Sequence, residues 1–540
     1  MNANFDEIAV SIVMLFRGDP AYPLPDFQAD LNAALEQDQP LTEVIVVDDR
    51  GPAALPDFAT PALVRELPRH VPGTFTDRAA MFNAGIRAAR GEYVLLLFND
   101  RSRVTLKRSA ARTMVMAATR GVPDGARPPA AMVYADYERV NPDGSRHEVH
   151  LLDWHAGRLR DTVDFGSVIL VRTQLLRELG GFDEQYAAAD WYDLRLRVSE
   201  RGAPVHVANR CAGSLYAVAA PVASHNVFAY LLADRSSQLE MERACTEHLK
   251  RVGAYLVPGA HVRPIAYDAE EEHRFADCIA SVVTPVYRRP EFIGRAIESV
   301  QAQTEQHVEM IVIVNGGDDD PTAAAVRRYM PGGDHYAAGK PPVRLIVTDV
   351  NNLGLCLNSG LAAARGKYYV QLDSDDRLKP DAVEKLLAVF ASDPTIGMVV
   401  GSYEVWTLDE ADGSLTRNAE IPVVTHPEWT ADNGRNNLLR INGAGAPRAA
   451  HIKAIRAAGW FGVNDSPHCR NYGEDYDLVL RISERHAIGR VWEPIYEVIR
   501  HAGGTDHAID QPTIDRNDEA KDAMRAEALR RRIELNRISR

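Results

Sequence analysis

Apolar runs of strand length recur at residues 8–15, 43–47, 93–98, 279–286, 310–314 and 368–372, alternating with segments of helical period. Such alternation predicts an α/β fold with a largely parallel sheet flanked by helices. The runs fall into two sets that correspond. Val10-Ser11-Ile12-Val13 returns as Ala280-Ser281-Val282-Val283, and Asn83-Ala84-Gly85 as Asn358-Ser359-Gly360. Gly91-Glu92-Tyr93-Val94 returns as Gly366-Lys367-Tyr368-Tyr369, and Tyr192-Asp193-Leu194 as Tyr476-Asp477-Leu478. The Asn83 and Gly91 matches share a spacing of 275 residues, whereas the Tyr192 match lies 284 residues on, so the second copy has gained loop residues between anchors. Two tandem domains are expected, at 1–221 and 278–510, with a helical linker at 222–277 and a charged, helix-prone tail at 511–540.

Length supports this division, because 540 residues exceed what one hydrophobic core accommodates. Lys and Arg number 61 against 75 Asp and Glu, and the net charge of −14 argues against a nucleic-acid partner. Cys211, Cys245, Cys278, Cys356 and Cys469 form no C-x-x-C pair, which suits buried thiols in a reducing compartment. No basic segment followed by an apolar one opens the chain, and no apolar stretch is long enough to span a bilayer. A soluble, cytoplasmic protein is therefore expected. The tail, with Arg530-Arg531-Arg532, reads as a solvated helix; docking on a partner or on the anionic inner face of a membrane is the alternative.

Candidate chemistry sits at a strand end. Val370-Gln371-Leu372 runs into Asp373-Ser374-Asp375-Asp376, whose carboxylates repel one another and need a cation. Mg²⁺ and Mn²⁺ prefer oxygen ligands and commonly bind through one or two carboxylates, phosphates and water. Open parallel sheets bind ligands beyond the carboxyl ends of their strands, where this run falls. The plain alternative is a solvated turn before the helix start at Leu378-Lys379-Pro380-Asp381. A second acidic run, Glu474-Asp475-Tyr476-Asp477, opens a later helical pattern, although helix N-termini favour acids regardless.

Together with Ser281-Val282-Val283-Thr284-Pro285-Val286-Tyr287-Arg288-Arg289-Pro290, these runs resemble the inverting family 2 glycosyltransferases of type-A fold. The resemblance covers nearly all of the second copy and, more faintly, the first. It implies tandem Rossmann-like domains and transfer from a nucleoside diphosphate sugar to a hydroxyl of a glycan, lipid-linked saccharide or protein, with Mn²⁺ or Mg²⁺ as cofactor. On the donor side it implies Thr284, Pro285, Tyr287, Arg288, Asn315, Asp373 and Ser374. Asn315 follows Val312-Ile313-Val314 where the family usually carries an acidic pair, so uracil is favoured but the base is less defined. Asp375, Asp376 and His501 would serve the metal, with His507 a weaker candidate. Asp475 would take the acceptor proton, its pKa raised by burial and by Glu474 and Asp477. Arg448 and Trp460 would floor the acceptor site, and His451 belongs to a helix surface.

The first copy lacks several of these groups. Phe98-Asn99-Asp100-Arg101 stands for Asp373-Ser374-Asp375-Asp376, and Asp190-Trp191 for Glu474-Asp475. Arg101 is positioned to neutralise Asp100, while Asp48-Asp49 survives after the second strand. One active domain beside a scaffold or glycan-binding domain is expected. A polymerase with two active domains and a non-catalytic carbohydrate-binding protein are the alternatives. A nucleotidyltransferase would need a basic Gly-rich triphosphate loop, which Pro285-Val286-Tyr287-Arg288-Arg289 does not provide.

Overall fold

The structure, a computed structural model, describes residues 5–7, 9–59, 67–100, 102–120, 130–209, 213–219, 235–409, 411–441, 443, 445–465, 471–501 and 510–538. It divides into two compact units, Met1–Val252 and Gly253–Arg540.

The first unit is built on a seven-stranded sheet in the order Val205–Val207, Met132–Ala135, Val168–Arg172, Tyr93–Leu97, Ala9–Phe16, Leu41–Asp48, Arg69–Pro72. The last four run parallel, and Val168–Arg172 is antiparallel to both neighbours. In the second unit Val343–Val347, Val308–Val314, Ala280–Val286 and Tyr368–Gln371 are parallel neighbours. Arg448–His451, Ile396–Leu408, Ala487–Arg500 and Arg377–Leu378 extend that sheet. The parallel core has the same strand order in both units, as the repeat requires. Inner strands such as Ala9–Phe16 and Val308–Val314 are buried on both faces, which explains their continuous apolar runs.

Repeated anchors perform repeated work. Ser281 Oγ donates to Glu309 Oε1 at 2.8 Å and accepts from Gly366 N–H at 3.0 Å, and Arg365 N–H reaches the same carboxylate at 2.7 Å. Ser11, Glu43, Gly91 and Arg90 make the same set at 2.6, 2.8 and 2.7 Å. A Cβ on Gly366 or Gly91 would lie 2.7 Å from the backbone nitrogen of Ser281 or Ser11, so only glycine admits this approach. Asn358 brackets Phe461 through both its N–H and carbonyl, at 3.0 and 2.9 Å, as Asn83 brackets Phe182 at 2.8 and 3.0 Å. Burial alone would raise the Glu309 carboxyl, yet the Arg365 N–H, Arg344 and Ser281 hold it below its usual range. Glu309→Gln is expected to lower the unfolding free energy by about 2 kcal/mol, because charge-assisted bonds to a buried group are lost. Urea unfolding measures the change.

The expected linker does not form a separate body. Residues 222–234 lie outside the described residues, and the helix Arg235–Arg251 packs in the first unit on the helix Asp190–Ser199. From residue 253 the chain belongs to the second unit, where Leu256 N–H donates to Asn436 Oδ1 at 2.9 Å and Arg263 N–H to the Arg485 carbonyl at 2.9 Å. The terminal helix Gln511–Ile538 is not merely solvated: it packs on the helix Glu474–Ser483. Ala520, Met524, Ala528 and Leu535 form a buried stripe at helical spacing beneath the charged residues. Cys245, Cys278 and Cys356 are buried free thiols; Cys211 and Cys469 lie outside the described residues. Among the described residues, no helix is long and apolar enough to cross a membrane.

Candidate active site

The parallel strand Tyr368–Gln371 delivers Asp373–Asp376 to the carboxyl edge of the second sheet, and the three carboxylates take different surroundings. Asp373 N–H donates to the Tyr496 hydroxyl at 3.0 Å, and Gln371 Nε2 donates to Asp373 Oδ1 at 3.2 Å. Asp376 is 6% exposed and accepts from Ile499 N–H at 2.8 Å, so it braces the loop from behind rather than facing a ligand. Burial, with the mutual charge of the cluster, raises the carboxyl pKa of Asp376. Ser374 is buried. Asp373 is exposed and Asp375 half-buried, and Asp375 is the carboxylate that meets a histidine. It forms an ion pair with Arg289 and lies 3.1 Å from His501 Nε2, whose ring packs against Phe292 at a centroid distance of 4.2 Å.

A carboxylate oxygen and an imidazole nitrogen this close form a donor set suited to Mn²⁺ or Mg²⁺. Among the described residues, no group of three or more His, Cys, Asp or Glu side chains converges as a metal cage. Asp375 and His501 would therefore hold the ion, and diphosphate oxygens and water would complete its shell. His507 lies outside the described residues.

Of the donor-side residues, Tyr287 is 47% exposed and the Arg288 guanidinium lies 5.7 Å from its ring centroid. Arg288 takes φ +49°, a left-handed conformation held by its N–H bond to Asp320 Oδ2 at 2.8 Å. Arg289 N–H is fixed on Thr322 Oγ1 at 2.9 Å, which aims its side chain at Asp375. Thr284 is fully buried in the strand and Pro285 is half-buried, so these two shape the wall beneath the loop. Asn315 N–H donates to the Val286 carbonyl at 3.0 Å and Nδ2 to Asn351 Oδ1 at 3.3 Å, while its buried Oδ1 has no hydrogen-bond partner among the described residues.

The acidic helix start is built on Gly473, whose φ of +85° turns the chain into the helix Glu474–Ser483. Glu474 is 7% exposed, and its Oε2 has no hydrogen-bond partner among the described residues. Burial and then the neighbouring Asp475 push it up to about 7. Asp475 behaves otherwise than its sequence neighbours suggest. Burial alone would raise it, but Arg448 Nη2 at 2.7 Å from Asp475 Oδ2 holds it below the usual carboxylate range. The raised member of the pair is Glu474.

Arg448 therefore serves Asp475, and its Nε also donates to Gln371 Oε1 at 3.0 Å, tying the helix start to the strand that carries Asp373. A small cavity beside them is lined by Tyr369, Gln371, Arg448, Phe461 and Asp475. Phe461, not Trp460, borders it: Trp460 is half-buried, donates its N–H to the Ile455 carbonyl at 3.0 Å and has Arg456 over its ring at 5.4 Å. His451 is no surface residue. It is buried against Tyr368 and Phe390, hydrogen-bonded to Tyr267 at 2.9 Å, and pushed down to about 3 by burial.

The corresponding place in the first unit is closed by its own side chains. Asn99 staples the strand Ala9–Phe16 through Leu15 N–H at 3.0 Å and the Leu15 carbonyl at 2.8 Å. Arg78 pairs with Asp190, Nε to Oδ2 at 2.9 Å, and with Asp100 at 3.5 Å, so it takes the part expected of Arg101, which lies outside the described residues. Phe98 packs on Trp191 and on Phe82, both at 5.0 Å. Asp48 is bound by Arg50 and His70, each at 2.8 Å, and Asp49 accepts from Phe75 N–H at 2.8 Å.

The second unit thus combines a parallel α/β sheet, strand-end carboxylates and an acidic helix start. Residues 281–456 match the Glycosyl transferase family 2 model. Chondroitin synthase and hyaluronan synthase of Pasteurella multocida are each 25% identical to this chain over 236 residues, 44% of this chain and 22% of theirs. Succinoglycan biosynthesis protein ExoO of Rhizobium meliloti is 33% identical over 155 residues, 28% of this chain and 41% of its own. The chain thus spans about a fifth of the length of the two synthases. The crystal structure of S. aureus TarS 1–349 in complex with UDP-GlcNAc aligns at 16% identity and a TM-score of 0.33, over 43% of this chain and 62% of that one.

Proposed function

We propose that the second unit is a metal-dependent inverting glycosyltransferase that moves a sugar from a nucleoside diphosphate sugar, a UDP-sugar by preference, to a hydroxyl of a growing glycan, lipid-linked saccharide or glycoprotein. The observation that carries this reading is the division of labour among the carboxylates. Asp375 has His501 beside it, while Asp376 is spent on the Ile499 N–H and the Glu474–Asp475 pair stands apart with its own cation, Arg448. A divalent ion at Asp375 and His501 supplies neutralisation of the charge developing on the departing diphosphate. Arg289 is within reach of the same diphosphate once it leaves Asp375, and Tyr287 offers an exposed ring for a base. Asp475 or Glu474 removes the acceptor proton during attack.

In this reading the first unit is a scaffold or glycan-binding domain, because Arg78 and the Phe98–Trp191 contact fill the place a donor would take. Thermal denaturation tests both parts. UDP is expected to stabilise the protein only with Mn²⁺ present, and Asp100→Ala is expected to leave that shift intact. Equal stabilisation by UDP without Mn²⁺ overturns the metal site, and loss of the shift in Asp100→Ala would mean that the first unit binds the donor.

A further inference from the structure

The terminal helix closes on the residue that starts the acidic helix. A Cβ placed on Gly473 would lie 2.7 Å from Met524 Cε and 3.9 Å from Lys521 Cγ, so the two helices meet at the turn immediately before Glu474. Lys521 is only 8% exposed, with its ammonium 4.4 Å from the ring centroid of Tyr472 and 5.7 Å from that of Tyr476. Further along, Arg525 is fully buried, 4.8 Å from the Tyr476 centroid, and its Nη2 donates to the Ile441 carbonyl at 2.6 Å. Arg532 Nη2 donates to the Arg435 carbonyl at 2.8 Å and Arg531 Nε to Glu484 Oε1 at 3.0 Å. These contacts set the terminal helix in one register and so fix where Lys521 points.

A buried ammonium is costly unless nearby charge offsets it. Apolar residues would pack the same groove, and Met524 already does so one turn away. Lys521 favours the ionised forms of Glu474 and Asp475 at the acidic helix start.

We infer that Lys521 is a positioning residue of the active site: the docked terminal helix presents its ammonium beside Glu474 and Asp475, as a second cation to Arg448. This rests on the reading of Glu474–Asp475 as the proton-accepting pair. The pair faces Arg448 from one strand, Lys521 from the terminal helix, and Asp373 and Tyr369 from the strand that carries the metal carboxylates. Asp477 on the same helix is engaged by Arg481 at 2.7 Å. Arg448 and Lys521 both favour the ionised carboxylates, whereas burial opposes ionisation. Lys521 thereby keeps one member of the pair deprotonated at a pH where burial alone would protonate both.

The test is Lys521→Met, which keeps the aliphatic stem and helix propensity, with Lys521→Gln as a second neutral variant and Lys521→Arg as the rescue. Removing the cation raises the pair's pKa, so the acid limb of the kcat/KM profile should move up by about one pH unit. Activity at the wild-type midpoint should fall about fivefold, and about tenfold well below it, and recover at higher pH, while Lys521→Arg restores the wild-type limb. Stabilisation by UDP with Mn²⁺ should be unchanged. Carboxyl ¹³C NMR of glutamate-labelled protein reads the same shift without turnover, the Glu474 resonance being assigned with Glu474→Gln. An acid limb and a Glu474 titration that stay in place in both neutral variants overturn the inference, however much activity they lose. A wild type inactive at every pH sinks the transferase reading instead, and the NMR titration still decides the role of Lys521.

Discussion

Asp375→Ala is expected to lower sugar transfer by about a thousandfold and to abolish the Mn²⁺-dependent stabilisation by UDP, because Asp375 is the carboxylate beside His501. Asp376 is committed to the Ile499 N–H, and Asp373, although exposed, accepts from Gln371 Nε2 at 3.2 Å. With Asp375 gone, His501 alone faces the ion, and a single neutral imidazole is a poor site for a hard cation. Arg289 also loses its counter-charge. A loss of about 4 kcal/mol of transition-state stabilisation corresponds to that rate change. Initial rates with a labelled donor at saturating Mn²⁺ measure it. A variant retaining more than a tenth of wild-type activity would remove Asp375 from the metal site.

Asp475→Asn is expected to reduce kcat by about two to four orders of magnitude while leaving UDP and Mn²⁺ binding in place, since general-base catalysis supplies about that factor. The asparagine preserves shape but cannot accept the acceptor proton, and it leaves Arg448 without the carboxylate 2.7 Å away. The wild-type profile follows from the pair as a unit. Below about 7, Glu474 carries a proton in the folded protein, and Asp475, held down by Arg448, carries the charge. Ionisation of Glu474 places a second charge beside Asp475 and makes it the stronger base, so activity should rise with pH through about 7. In Asp475→Asn the like-charge neighbour is gone, so any residual activity should titrate at lower pH than in the wild type. Stopped assays between pH 5 and 9, with UDP binding followed in parallel, separate this outcome from a loss of donor affinity.

The central strands were legible because each is apolar on both faces. The edges were not. Arg69–Pro72 is a four-residue strand of mixed polarity, and Arg448–His451 is half alanine; neither carries a β signal although both pair in the sheet. The terminal helix hid its buried stripe beneath charge, because Lys521, Arg525 and Arg532 were counted as solvated when each has a place inside. In the site, Asp375 and His501 could be found from local motifs. Arg289, Tyr496 and Phe461 act on partners distant in sequence, and no spacing rule announces them. The charge state of Asp475 shows the same limit. Adjacent acids argue for a raised pKa, and an arginine reached only through the fold reverses it.

The serine–glutamate–glycine staple that fastens the first, second and fourth parallel segments is the same at Ser11–Glu43–Gly91 and at Ser281–Glu309–Gly366. Around one copy the strand end carries carboxylates; around the other it carries an aromatic plug and an arginine pin. The chassis therefore does not depend on what its loops do. The chain carries its own blank, an equally framed domain with the working parts exchanged, against which each alteration in the second half can be judged.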